Sequence, residues 1–190
     1  MRSKSKIMKR KRIEMDILQG PLKWFRAGKP IDLSLVDYVD NLIKEEYQKG
    51  NVIKAAIGTD SKRNGRGFKF STVILFHVFK DMGDGTLQGL GGKVMNADYR
   101  LKIYGTGKEG VKERMLAEVG KSIEVAYEVS EVFARHSVSL EVHADINPNP
   151  QWESNKALSD AVGYILGCGY DFKVKPAAFA SSFSADKFVQ

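Results

Sequence analysis

Two short stretches put an aspartate at the end of an apolar run: IGTDS at 57–61, with Asp60, and HADIN at 143–147, with Asp145. Two more acids stand where other elements could carry them in. Glu118 lies inside a long helical pattern, and Asp186 lies near the C-terminus in FASSFSADKF. An aspartate closing a buried strand is costly unless a hydrogen bond, a cation or a metal meets it, although a carboxylate at a turn is commonly structural. Carboxylates brought close together repel and raise each other's pKa unless cations intervene. Two divalent ions about 4 Å apart, bridged by one acid and held by the others, would resolve this. Such a pair would activate a water and stabilise the leaving oxygen in phosphodiester hydrolysis. All-oxygen ligands point to Mg2+ or Mn2+, since one cysteine and three scattered histidines give zinc little to bind.

The elements that must position these acids can be read from periodicity. Along IKAAIGTD, the two-residue strand period puts Lys54, Ala56, Gly58 and Asp60 on one face and Ala55, Ile57 and Thr59 on the other. The Asp60 face is nearly bare of bulk before the acid, so something large can approach the backbone there. The polar turn SKRNGRG leads to an apolar strand over Phe68 to Phe79, with His77 inside it. Asp84-Gly85 marks a hairpin into a third strand over roughly 92–103. From about Lys108 to Phe133, the residues Val111, Met115, Val119, Ile123, Ala126, Val129 and Phe133 form one helical stripe. Glu113, Glu124, Glu128 and Glu131 point away from it, whereas Glu118 lies on its border and is best placed to face a sheet.

A fourth strand, SLEVHAD, carries Leu140, Val142 and Ala144 on one face and Glu141, His143 and Asp145 on the other. Ser154 is expected to cap a helix from Asn155 to about Leu166, stopped by Gly167 and Gly169, and DFKVK is the fifth strand. Upstream, Asp32 or Ser34 caps a helix to about Gln48 with Leu35, Val39, Leu42 and Ile43 inward, and Gly50 ends it. Trp24 and Phe25 are expected to pack an N-terminal arm onto the body. The order predicts an α/β fold, a mixed five-stranded sheet flanked by helices, with an N-terminal helical extension. If the first and fourth strands are neighbours, Asp60 and Asp145 come side by side.

Charge is unevenly placed. The formal net charge is +7, and seven cations with no acid fall within residues 1–12. The rest of the chain balances, 23 cations against 23 acids, so the basic character belongs to a tail read as disordered and able to bind polyanions, or simply solubilising. A neutral body argues against a protein that coats nucleic acid with a wide basic face. The 190 residues suit one core, read as an arm and helix over 13–52 and a main domain over 53–190. Cys168 is the only cysteine, and no apolar run has signal or membrane length, which makes a cytoplasmic location the expectation.

These residues resemble the YkuK-like family of ribonuclease H-like nucleases. The likeness is carried by IGTDS, ERMLAEVGKSIE at 113–124, HADIN, GYILGCGYDFKVKP at 163–176 and AFASSFSADK at 178–187. It implies a ribonuclease H-like fold in which Asp60 and Asp145 are the central metal ligands, Glu118 the helix acid and Asp186 the final acid. It further implies hydrolysis of RNA, an RNA–DNA hybrid or structured DNA. Pro148, Asn149 and Pro150 depart from the glycine-containing turn of many relatives and stiffen the loop beside Asp145. Around the acids, Ser61, Lys62, Asn155, Lys156 and Lys175 are candidates to hold the phosphates of a bound strand. His143 could position Asp145, contact a phosphate or serve packing alone. A non-catalytic nucleic-acid-binding or assembly module on the same fold is the alternative function. An actin-like kinase, suggested by the glycine-threonine-aspartate run, needs two lobes where this length supplies one, and no Walker-type glycine loop is present.

Overall fold

The computed structural model describes residues 21–65, 67–151 and 157–189. The basic segment 1–12, the arm over 13–20, and Ser154, Asn155 and Lys156 lie outside the described residues. In chain order the elements are β1 (Trp24–Arg26), β2 (Lys29–Pro30), α1 (Leu35–Gln48), β3 (Asn51–Asn64), β4 (Gly67–Asp81), β5 (Leu87–Leu101), α2 (Gly107–Arg135), β6 (Ser139–Ala144), α3 (Leu158–Gly167) and β7 (Asp171–Lys173). A C-terminal helix follows, π-helical over Ala180–Ala185 and α-helical (α4) over Asp186–Val189. The strands form one mixed sheet in the order β2-β1-β5-β4-β3-β6-β7. β3, β4 and β5 are an antiparallel meander, and β6 and then β7 add in parallel.

The sheet has seven strands where five were expected, because the N-terminal arm pairs rather than merely packing. Trp24, Phe25 and Arg26 lie against Ala97, Asn96 and Met95 of β5, covering what would otherwise be an open edge. The Trp24 indole is buried in the main core. β5 also begins at Leu87, earlier than its weak alternation suggested, since the Gly-rich stretch 89–92 still ladders with β4.

Alternation decides what each sheet face buries. Ala55 and Ile57 of β3, with Ile74, Phe76, Met95, Val142 and Ala144, meet α1 and α2 in the large core. α1 contributes Leu35, Val39, Leu42 and Ile43; it is capped by the Ser34 hydroxyl, which accepts the Asp37 N–H, and ended by Gly50 at φ +74°. The opposite face carries Ala56, Val73 and Leu75 against Ala180 and Ala185 of the C-terminal helix. Among the described residues, no helix is long and apolar enough to cross a membrane.

Candidate active site

The parallel pairing of β3 with β6 fixes the centre. Its last pairs are Gly58 with His143 and Thr59 with Ala144, so Asp60 and Asp145 follow side by side where the two strands part. β3 itself runs on to Asn64, paired with β4. Asp60 therefore sits on a braced strand, at the point where its parallel neighbour leaves, rather than at the strand's end.

Glu118 reaches the same place from the other face, and the register of α2 on β3 explains how. The Ser61 hydroxyl donates to Glu118 Oε1 at 2.6 Å, and the Ser122 hydroxyl donates to Thr59 Oγ1 at 2.9 Å. Four helical residues rise about 6 Å and two strand residues about 6.6 Å. One helix turn therefore matches one strand repeat, and the two contacts lock the helix in step with the strand. The anchor continues across the sheet through Thr59, Thr72 and the Tyr99 hydroxyl, each step 2.8 Å.

Arg114, one turn before Glu118, completes this corner. Its guanidinium donates to Glu118 Oε1 at 3.0 Å, to the Ser61 carbonyl at 2.9 Å and to the Ser61 hydroxyl at 3.2 Å. No motif pointed to Arg114; the signal was its i, i+4 spacing to Glu118 on a helix.

Asp186 arrives on the C-terminal helix, which lies directly on the bare face of β3. A Cβ at Gly58 would stand 2.5 Å from Ser181 N and 2.8 Å from Ala180 C. What approaches the backbone beside Asp60 is thus the chain's own helix. The Ala180 N–H donates to His143 Nδ1 at 3.1 Å, and Ser182 Oγ donates to Asp145 Oδ1. At the far end Lys69 Nζ donates to the Phe188 carbonyl and pairs with Asp98 at 3.1 Å.

Two expected roles change. His143 is only 3 % exposed. With Nδ1 accepting from Ala180, the Nε2 proton goes to Glu141 at 3.1 Å, and burial holds the ring's pKa down. His143 is a neutral clamp between β6 and the C-terminal helix and does not reach the surface to meet a phosphate. Ser61 is buried too, and its hydroxyl is spent on Glu118. Lys62 is exposed on the β3–β4 hairpin. Lys175 is half-exposed, its ammonium 3.1 Å from Asp145 Oδ1. Asn155 and Lys156 fall outside the described residues.

The electrostatics show an unbalanced centre. Asp60 is 8 % exposed, and burial pushes its pKa up to about 6. The Ser61 N–H on Oδ1 at 2.8 Å and the nearby Arg114 pull it back, while Asp145 and Asp186 add to the rise. Burial likewise carries Glu118 to about 8, with Arg114 and the Ser61 hydroxyl opposing and Asp60 and Asp145 reinforcing. Glu46 makes the contrast. It too is 3 % exposed, but Lys93 at 2.5 Å, Lys49 at 2.9 Å and Asn51 at 2.7 Å outweigh its burial and hold it at about 2. Glu46 is a satisfied structural ion cluster, whereas ionising both Asp60 and Glu118 would put more negative charge there than their own donors offset.

A pH dependence follows. The ordinary values are 3.8 for Asp60 and 4.5 for Glu118, and both are raised on folding. Between about pH 4 and 8 these two groups therefore bind more protons in the folded chain than in the unfolded one, and their contribution to stability falls as pH rises through that window. Unfolding free energies from urea titrations in EDTA are expected to drop from pH 5 to pH 8.5, by several kcal/mol in all at roughly 1.4 kcal/mol per unit. Glu118→Gln should flatten most of the slope. A midpoint that climbs with pH would show these carboxyls to be better compensated than the contacts imply.

The donor set suits a hard divalent ion, being carboxylate oxygens with a surplus of buried negative charge. Among the described residues, no group of three or more His, Cys, Asp or Glu side chains is arranged to hold an ion as it stands. Glu118 is drawn instead to Arg114 and Ser61, and Asp145 to Lys175 and Ser182.

A mixed sheet with a three-stranded meander, parallel strands added beyond its first strand, and acids at the parting of the central pair defines a ribonuclease H-like architecture. The chain belongs to that family: the family model described as Ribonuclease H-like matches residues 34–190, from the cap of α1 to the C-terminal helix. Comparison with curated proteins and with solved structures gave no match.

Proposed function

We propose that the chain is a metal-dependent nuclease of the YkuK-like kind, hydrolysing phosphodiester bonds of RNA, an RNA–DNA hybrid or structured DNA. The observation that carries the reading is the juxtaposition of Asp60 and Asp145 beyond the last β3–β6 pair, over a buried Glu118. Family membership supports nucleic acid as the partner. Asp60, Glu118, Asp145 and Asp186 would hold Mg2+ or Mn2+, which when bound supplies Lewis-acid activation of water and charge stabilisation at the leaving oxygen.

The chain's own residues set the stage for that chemistry. The Ser61 N–H fixes the rotation of the Asp60 carboxylate, and Arg114 with Ser61 fixes Glu118. Ser182 and His143 keep the C-terminal helix, and with it Asp186, against β3 and β6. Lys62 and Lys175 on the open side, with Asn155 and Lys156, would position the phosphates of a bound strand without reading its bases.

The test is a cleavage panel of labelled single- and double-stranded RNA, DNA and hybrid, each with magnesium, manganese or EDTA. Metal-dependent cutting of at least one substrate is expected. Retained binding without any cutting would instead assign the chain the role of a nucleic-acid-binding module.

A further inference from the structure

We propose that Lys175 is a resident cation of this centre, standing where a second divalent ion would otherwise sit, so that the site takes one ion, on the Asp60 side. The inference rests on the nuclease reading above and specifies its ion count.

Glu118 and Asp145 each have a cation of their own. Arg114 lies 3.0 Å from Glu118 Oε1, and the Lys175 ammonium lies 3.1 Å from Asp145 Oδ1, on the same oxygen that takes the Ser182 hydroxyl. Asp60 differs. Its described donor is the Ser61 N–H, and no described cation lies within ion-pair distance of it. Of these three acids the central one makes no ion pair among the described residues, and there a single divalent ion has most to gain.

Lys175 is anchored through its backbone beside Asp145. Its backbone N–H donates to the Ile146 carbonyl at 3.2 Å, which pins its Cα beside the turn that follows Asp145. Its side chain keeps 43 % exposure, and it lines a pocket of about 330 Å³ with Asn147, Pro148, Pro176 and Ser182. The side chain is thus paired with Asp145 and borders open space, from which a substrate phosphate would draw the ammonium. A lysine is suited to this exchange because its point charge has three rotatable donors.

The experiment is a calorimetric Mn2+ titration of the full chain, wild type against Lys175→Met, with Lys175→Arg as the charge-preserving control and melting curves to confirm that each is folded. Methionine keeps an apolar stem of similar length and removes the charge. One equivalent is expected on wild type and on Lys175→Arg, and two on Lys175→Met. Equal stoichiometry and affinity on wild type and Lys175→Met, whether one equivalent or two, would overturn the resident-cation role and leave the nuclease reading standing. No manganese bound by any folded variant would overturn the metal centre itself.

Discussion

Asp60→Asn is expected to lower metal-dependent cleavage by about a thousandfold or more while leaving the fold intact. The amide keeps the shape of the carboxylate, and its carbonyl oxygen can still accept the Ser61 N–H that now meets Oδ1 at 2.8 Å. What it loses is the charge of the central acid, which makes no ion pair among the described residues. Because burial and the neighbouring Asp145 and Asp186 already raise the Asp60 pKa to about 6, removing that charge costs the metal-free protein nothing. Its urea midpoint at pH 8 should be equal to or above that of wild type. Initial rates on the best substrate, measured beside the urea curves, check both halves. A variant that stays folded and still cuts within tenfold of wild type would remove Asp60 from the chemistry.

The second large effect is on architecture. Gly58→Ala would drive a methyl group to 2.5 Å from Ser181 N and 2.8 Å from Ala180 C, and both are backbone atoms that cannot turn aside. The C-terminal helix must lift from β3, and it carries Asp186 and the Ser182 contact to Asp145. A loss of about 3 kcal/mol is expected, at the upper end for overpacking, with cleavage down at least tenfold. Hydrogen exchange should localise the change to residues 180–189. Gly120→Ala, inside α2 with nothing within 4 Å of the new methyl, is the control and should stabilise by about 0.5–1 kcal/mol. If Gly58→Ala behaves like Gly120→Ala, the close approach is not a constraint on the fold.

What could be read from the sequence was what short-range periodicity encodes. The alternation of Ala55, Ile57 and Thr59 against Ala56, Gly58 and Asp60 assigned both faces of β3, and the helical stripe from Met115 to Phe133 left Glu118 on the side that meets the sheet. The parallel register that sets Asp60 beside Asp145 was open to inference once the two strands were taken as neighbours. Features that depend on distant partners were not legible. The bare face at Ala56 and Gly58 announced a close approach, but nothing local said that Ala180 and Ser181 would make it. β1 was invisible because three residues cannot display a period, and its strand state comes from pairing with β5. Ser182 and Arg114 became part of the site only when the C-terminal helix and α2 were placed. His143, on the Asp145 face by alternation, turned inward to a backbone amide 37 residues away.

Asp60 and Glu118, buried and costly to ionise alone, are the groups proposed to be met by a divalent ion. The most direct test is the melting temperature of the full chain in EDTA and in millimolar manganese, for wild type and Asp60→Asn. Ligand in hundredfold excess over its Kd adds about 2.7 kcal/mol to a folded protein, which for a chain of this size is roughly 5–10 °C. A rise of that order in wild type, absent in Asp60→Asn, is the predicted result. A wild-type melting temperature unmoved between EDTA and manganese would contradict it.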